Sequence, residues 1–541
     1  MKRRDFLRST VATSVAAGLT PAVATKRAIA NAPQPAPVPP FELEEITVSA
    51  LQDGIRSGRW TARGIVEQYL QRIQDVDKSG PSVNSVIEVN PQALELADRA
   101  DAERKSGQVR GPLHGIPVII KDNIDTGDRM QTTAGSLALA GSSAPRDAFI
   151  VERLRAAGAI VIAKANLSEW ANFRSTNSTS GWSGRGGQTR NPYMLDRNPC
   201  GSSSGSGAAG SANLAAVAIG TETDGSVVCP SSINGLVGIK PTVGLWSRAG
   251  IIPISSTQDT AGPMCRTVTD AAILLGSLTG VDPRDASTRA SAGKTTKDYT
   301  SFLDAGGLKG ARIGVMRKGL SISSKTEKVY ESALDALKSA GATLVDPANF
   351  TTLEQIGPAE FDVMVYEFKA GLEAYLATRG SAVPHRTMKD LIAFNEANRD
   401  REMPYFGQEI LIKAAAVGPL TEPKYRTLLA TCRRLSRAQG IDLLLTRHRL
   451  DAIVGITVGP AWPIDLVNGD RFTGGSSTMS AVAGYPSVTV PAGDVHGLPV
   501  GLSFMGGPWQ EGKLLRLAYA FEQTTKARKA PRFLTSMPMS M

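Results

Sequence analysis

CGSSSGSGAAGSANLAAVAIGTETDGSVVCPSSINGLVGIKPTVG, residues 200–244, holds two serine-rich turns flanked by glycine: GSSSGSG at 201–207 and TDGS at 223–226. A short Ala-rich segment joins them and sets Ser202 and Ser226 24 residues apart. Upstream, Lys121 ends an apolar run, GIPVIIK at 115–121. Two serines and a lysine can supply a nucleophile, a proton shuttle and a base without any histidine. An unactivated serine hydroxyl is a poor nucleophile at neutral pH, and a lysine can relieve it of its proton only as the neutral amine. Burial favours that form, and residues 117–120 read as a buried strand that delivers Lys121 to its end.

Outward from this region, strands alternate with helices. Thr61 is suited to cap a helix in which Ile65, Val66, Tyr69, Leu70 and Ile73 recur at helical spacing. Residues 147–157 read as a helix capped by Asp147 and stopped by Gly158, with the strand AIVIAK next. Strands are expected again at 313–316, 343–345, 451–458, 487–490 and 500–504, with a helix at 325–340 closed by Gly341. This alternation predicts an α/β architecture with helices on both sheet faces. No repeat and no second linker interrupts 41–541, which reads as one domain. Residues 285–470, richer in charge, are expected to add helices that shape a substrate cleft.

Other serine and glycine motifs lead nowhere. GSGAAG at 205–210 matches G-x-G-x-x-G, but Pro-Cys-Gly-Ser-Ser-Ser before it cannot be the strand that a dinucleotide site requires. GSSSG at 201–205 matches G-x-S-x-G, whose triad needs a late histidine. The chain has four histidines, His114, His385, His448 and His496, and none sits in triad-like surroundings. No H-E-x-x-H and no Cys/His cluster points to a metal.

The formal charge of +10 is half explained by residues 1–30, where Lys2, Arg3, Arg4, Arg8, Lys26 and Arg27 face one acid, Asp5. The 54 basic and 49 acidic residues that remain make a mild balance, and no basic stripe with interleaved aromatics suggests nucleic acid. The first thirty residues have the look of a twin-arginine export signal: paired arginines before Phe6 and Leu7, a moderately apolar stretch at 11–24, and an A-x-A site at 28–30 with cleavage before Asn31, the A-x-A at 22–24 being the second choice. NAPQPAPVPP at 31–40 is a Pro-rich linker. The expectation is a periplasmic or secreted protein with no stable membrane insertion after cleavage. Four cysteines do not make a disulfide scaffold at this length. Cys200 and Cys229 flank the two serine turns; an oxidising compartment permits a bridge between them, and two small buried thiols is the first reading.

GPLHGIPVIIKDN (111–123), CGSSSGSGAA (200–209), GTETDGS (220–226), GLVGIKPTVG (235–244) and GLPVGLSFMG (497–506) together resemble the amidase signature family. The likeness covers most of 41–525. NLSEWANF (166–173), GWSGRGGQTRNPY (181–193) and GTETDGSVVCP (220–230) are similar to its peptide-amidase subgroup. The resemblance implies an amidase-signature fold, a large mixed β-sheet core covered by helices on both faces, and a Ser–cis-Ser–Lys triad with Ser226 as nucleophile, Ser202 as bridging serine and Lys121 as base. It implies an oxyanion hole from the backbone N–H groups of Thr223, Asp224, Gly225 and Ser226. It also implies an acyl-enzyme and a small amide or peptide-amide substrate, with no metal or organic cofactor. Gly201 makes an unusual turn accessible, and Ser203 and Ser204 are expected to brace it. Arg190 and Asn191 are read as structural. Two departures stand out: Asp224 where glycine is common, and Val228 where many members have arginine. Asp224 is expected to repel a carboxylate product, to contact the substrate amide, or to structure the turn through backbone N–H groups. Two other functions stay open: an amidotransferase A-type subunit that releases ammonia for a partner, and a non-catalytic binding protein on this scaffold.

Overall fold

The computed structural model describes residues 38–538. The expected export signal at 1–30, and positions 31–37 of the Pro-rich stretch, lie outside the described residues. The strands are β1 (Val86–Val89), β2 (Pro117–Lys121), β3 (Ile160–Ala165), β4 (Trp182–Ser183), β5 (Gly187–Gln188), β6 (Val217–Glu222), β7 (Val237–Lys240), β8 (Thr260–Cys265), β9 (Arg312–Val315), β10 (Thr343–Val345), β11 (Ala452–Ile456), β12 (Ser487–Val495) and β13 (Leu498–Met505). β4 and β5 pair with each other, and among the described residues the other eleven form one sheet in the order β1-β3-β2-β6-β8-β7-β12-β13-β11-β9-β10. It is mixed, as expected. β2 runs parallel to both β3 and β6, and β9 parallel to β10 and β11, while antiparallel pairs fill the middle.

β2, β3 and β6 are buried at every residue, as strands covered on both faces must be. That is why they read as unbroken apolar runs. The register Ile120↔Ile219 sets the carboxyl ends of β2 and β6 side by side. Crevices at such ends are where open α/β sheets bind ligands.

The helix Ser204–Ser211 leaves the first serine turn and packs on β6, and the helix Val228–Ile233 leaves the second. Both are buried throughout. Close approach dictates the small residues here. A Cβ on Gly205 would lie 2.3 Å from the carbonyl oxygens of Asn166 and Ser85.

The charge-rich segment supplies the helix Leu353–Thr378, whose Val365, Phe368, Leu372 and Leu376 form a second apolar cluster with Trp170, Phe173, Ile252 and Ile254. It also supplies β9, β10 and β11 to the main sheet. The expected helix at 147–157 starts later than its pattern suggested. It spans Phe149–Ala156 with Ala148 at its cap. Asp147 instead accepts from the Gly127 N–H at 2.7 Å and pairs with Arg155. Among the described residues no helix is long and apolar enough to cross a membrane.

Candidate active site

Lys121 ends β2 wholly buried. Its Nζ lies 2.8 Å from Ser202 Oγ, 2.9 Å from Thr221 Oγ1 and 3.3 Å from the Thr221 carbonyl. Burial pulls the ammonium down to about 7, against the opposing charges of Asp259 and Glu222. The free amine has two N–H donors and one lone pair. The two oxygens of Thr221 suit the donors, and the Ser202 hydroxyl can then donate to the lone pair. Asp122, next along the chain, is turned to the Thr133 hydroxyl and the Gly135 N–H, away from this cluster.

The Gly201–Ser202 peptide bond is cis. A Cβ on Gly201 would lie 2.3 Å from Ser168 Oγ, so the turn admits no side chain there. Ser203 braces the site. Its Oγ donates to the Thr221 carbonyl at 3.0 Å and accepts from the Thr221 N–H at 3.1 Å, while its own N–H donates to the Ser226 carbonyl at 3.2 Å. Ser204 Oγ lies 3.3 Å from Ser168 Oγ. One serine thus ties the Ser202 turn to the end of β6 and to Ser226.

Past β6 the chain turns through Thr223, Asp224, Gly225 and Ser226, with Gly225 at φ +79°. Among the described residues the N–H groups of these four donate to no protein acceptor, whereas those of Val227 and Val228 donate to Glu222 Oε2 at 2.8 and 2.9 Å. Successive unpaired N–H groups at a turn favour negative charge. Asp224 is not bound to backbone N–H groups, as one sequence reading had it. Its carboxylate accepts from the hydroxyls of Ser477 and Thr478, the latter at 2.7 Å, and so ties this turn to a distant segment. Glu360 lies beside it. Burial and the Asp224 charge hold the Glu360 carboxyl well above the ordinary range.

Cys200 and Cys229 are joined in a disulfide, which corrects the reading of two separate thiols. The fold brings the start of the first serine turn against the helix that follows the second, to a Cα–Cα distance of 6.2 Å. No spacing rule in the sequence encodes that proximity.

Two cavities meet at this site. One, of about 360 Å³, is lined by the Thr223–Ser226 turn, both cysteines and an apolar wall of Phe173, Met364, Trp462 and Phe472. The other, of about 370 Å³, is lined by Ser202, Asn123, Thr221, Glu222, Asp259 and residues 251–254, with Gly371, Ala374, Tyr375 and Thr378 of the long helix across from them. Ala171, Thr223 and Ile254 belong to both linings.

All the sequence-predicted site residues therefore converge on one place: Lys121, Gly201, Ser202, Ser203 and the turn Thr223–Ser226. Arg190 and Asn191 bond within the fold, through the Arg190 N–H to the Val83 carbonyl and the Asn191 side chain to the Ile233 carbonyl. Sequence reasoning missed Thr221, Asn123, Asp259 and Glu360. Thr221 and Asn123 stand within motifs already quoted, and their polar side chains at strand ends were a usable signal. Glu360 carried none, because only the fold brings it here.

The Amidase family model matches residues 64–515. The crystal structure of native peptide amidase from Stenotrophomonas maltophilia superposes with a TM-score of 0.87 at 51% identity, covering 91% of this chain and 100% of that one. A probable amidase from Arabidopsis thaliana is 43% identical over 503 residues, 91% of this chain and 93% of its own. The A-type subunit of glutamyl-tRNA(Gln) amidotransferase from Halorhodospira halophila is 33% identical over 503 residues, 90% of this chain and 99% of its own.

Proposed function

The chain belongs to the amidase family, and on that premise we propose that this hydrolase acts on carboxamides, foremost the C-terminal amides of peptides, through a seryl ester on Ser226. The 2.8 Å contact between Lys121 Nζ and Ser202 Oγ carries this reading. It places an amine depressed toward neutrality against a hydroxyl whose chain neighbour, Ser203, donates its N–H to the Ser226 carbonyl. Ser226 Oγ attacks the amide carbonyl carbon and its proton passes through Ser202 to Lys121. The N–H groups of Thr223–Ser226 receive the negative oxygen, where one such donor contributes about 3–4 kcal/mol in comparable enzymes. Ser202 then protonates the departing nitrogen, the C–N bond breaks, and Ser226 is left as an ester. Water, deprotonated by the same relay, cleaves that ester and frees the acid.

The preference for peptide amides rests on the similarity to a peptide amidase and on the apolar wall of the Ser226 cavity, which suits the side chains of an acyl peptide. Incubation of the protein with a library of peptide amides, read by mass spectrometry, tests it. Conversion of amide to acid confined to C-termini is expected, and an unchanged library would refute it. The similarity to amidotransferase subunits favours a second reading, in which ammonia is passed to a partner. A co-purifying partner protein and amide turnover dependent on it would support that reading instead. Export to an oxidising compartment is part of the proposal, supported by the twin arginines of the N-terminus and the Cys200–Cys229 disulfide.

A further inference from the structure

Two buried acceptors at the site have no partner. Asn123 Oδ1 and Glu222 Oε1 accept no hydrogen bond from any described residue. Asn123 is 3% exposed and Glu222 1% exposed. Buried polar atoms are paired in the great majority of cases, and an orphan calls for an explanation. The other half of each side chain is engaged. Asn123 Nδ2 donates to Thr221 Oγ1 at 2.9 Å, and Glu222 Oε2 takes the N–H groups of Val227 and Val228. Each orphan therefore belongs to a side chain that is already held in place.

Both residues line the Ser202 cavity, and neither lines the Ser226 cavity. Asn123 is three hydrogen bonds from Ser202, by way of Thr221 Oγ1 and Lys121 Nζ. The two cavities thus differ in chemistry. The Ser226 side offers N–H donors, which suit a developing oxyanion. The Ser202 side offers unpaired oxygen acceptors, which suit N–H donors.

We propose that the Ser202 cavity is the binding site for the departing nitrogen, with the side-chain carbonyl of Asn123 as its principal acceptor and Glu222 Oε1 as a second. The inference rests on the proposed reaction, in which Ser202 protonates that nitrogen. A carboxamide bound across the two cavities sets its carbonyl oxygen at the Thr223–Ser226 turn and its N–H groups toward Asn123. When the C–N bond breaks, the nitrogen carries the Ser202 proton and donates to the same acceptors. A methyl ester's leaving oxygen carries no hydrogen until Ser202 protonates it, so it offers these acceptors one late donor where the amide nitrogen offers N–H groups from the start. Asn123 therefore selects amides over esters of the same acyl group.

The test is the ratio of kcat/KM for a peptide amide to that for the methyl ester of the same peptide. Being measured on one preparation, the ratio is independent of how much of the protein is folded. Asn123→Ala removes the acceptor, and the amide-to-ester ratio should fall about tenfold or more. Asn123→Asp keeps an acceptor oxygen in the same place while losing the donor toward Thr221, and its ratio should stay within about threefold of wild type. An unchanged ratio in Asn123→Ala would overturn the proposal, as would an equal fall in both variants, which would show that Asn123 acts through Thr221 and Lys121. A wild-type protein that cleaves no amide would refute the proposed reaction itself, a result readable before any variant is made.

Discussion

Burial alone does not single out Lys121. Lys164 and Lys240 are also wholly buried at strand ends, and both have ammonium groups depressed by desolvation. Lys164 donates to the Ile124 carbonyl and Thr132 Oγ1, and Lys240 to the Pro241 carbonyl. Of the three, only Lys121 meets a serine hydroxyl that stands beside a second serine turn. Its role follows from the partner rather than from the shifted titration. Ser226→Ala should abolish covalent labelling by a serine-directed fluorophosphonate, and Lys121→Ala should slow it by several orders of magnitude while the circular dichroism stays native. Labelling of Ser226→Ala at the wild-type rate would remove that residue from the chemistry. With the Lys121 amine as base in the proposed reaction, kcat/KM should rise with pH through about 7, where Lys121 loses its proton. A profile flat from about pH 6 to about pH 8 would count against Lys121 as the base.

Among the elements, two short buried helices and the turns before them do the positioning. Each turn leaves the carboxyl side of the sheet crowded against its neighbours, so glycine and serine are the side chains that fit. Ser203 ties one turn to the other by hydrogen bonds, and Cys200–Cys229 ties them covalently across 29 residues of chain. A link closing a loop of this length constrains the unfolded chain by about 3–4 kcal/mol in the chain-entropy description. The double variant Cys200→Ser, Cys229→Ser should lose roughly 2–4 kcal/mol in urea unfolding. It should also turn over more slowly, since both cysteines line the Ser226 cavity. Wild-type protein incubated with dithiothreitol should move in the same direction, whereas a variant equal to wild type in both measurements would leave the bridge without a positioning role.

For the molecule as a whole, the cost of so polar an interior appears in its response to pH. Burial raises Asp125 and Asp259 to about 6 and Glu522 to about 7. In the unfolded chain such carboxyls titrate near 4. Between these values the native state holds protons that the unfolded chain has released, so stability falls as pH rises through that window. The melting temperature should therefore decrease from about pH 5 to about pH 7, and a rise over this interval would contradict these assignments. Much of this molecule was legible in its sequence. Apolar runs such as PVIIK and AIVIAK are strands because continuous burial leaves no alternation to read. The Gly/Ser turns announced themselves because few other residues tolerate such close packing. Lys121, Ser202 and Ser226 stood out because that trio has a chemistry that needs no histidine. The order of eleven strands, the Cys200–Cys229 bridge, the hold of Ser477 and Thr478 on Asp224, and the orphan oxygens of Asn123 and Glu222 were decided by the tertiary structure alone. Each joins residues far apart in the chain or depends on the absence of a partner, and local pattern records neither: contact across a fold and lack of contact are properties of packing.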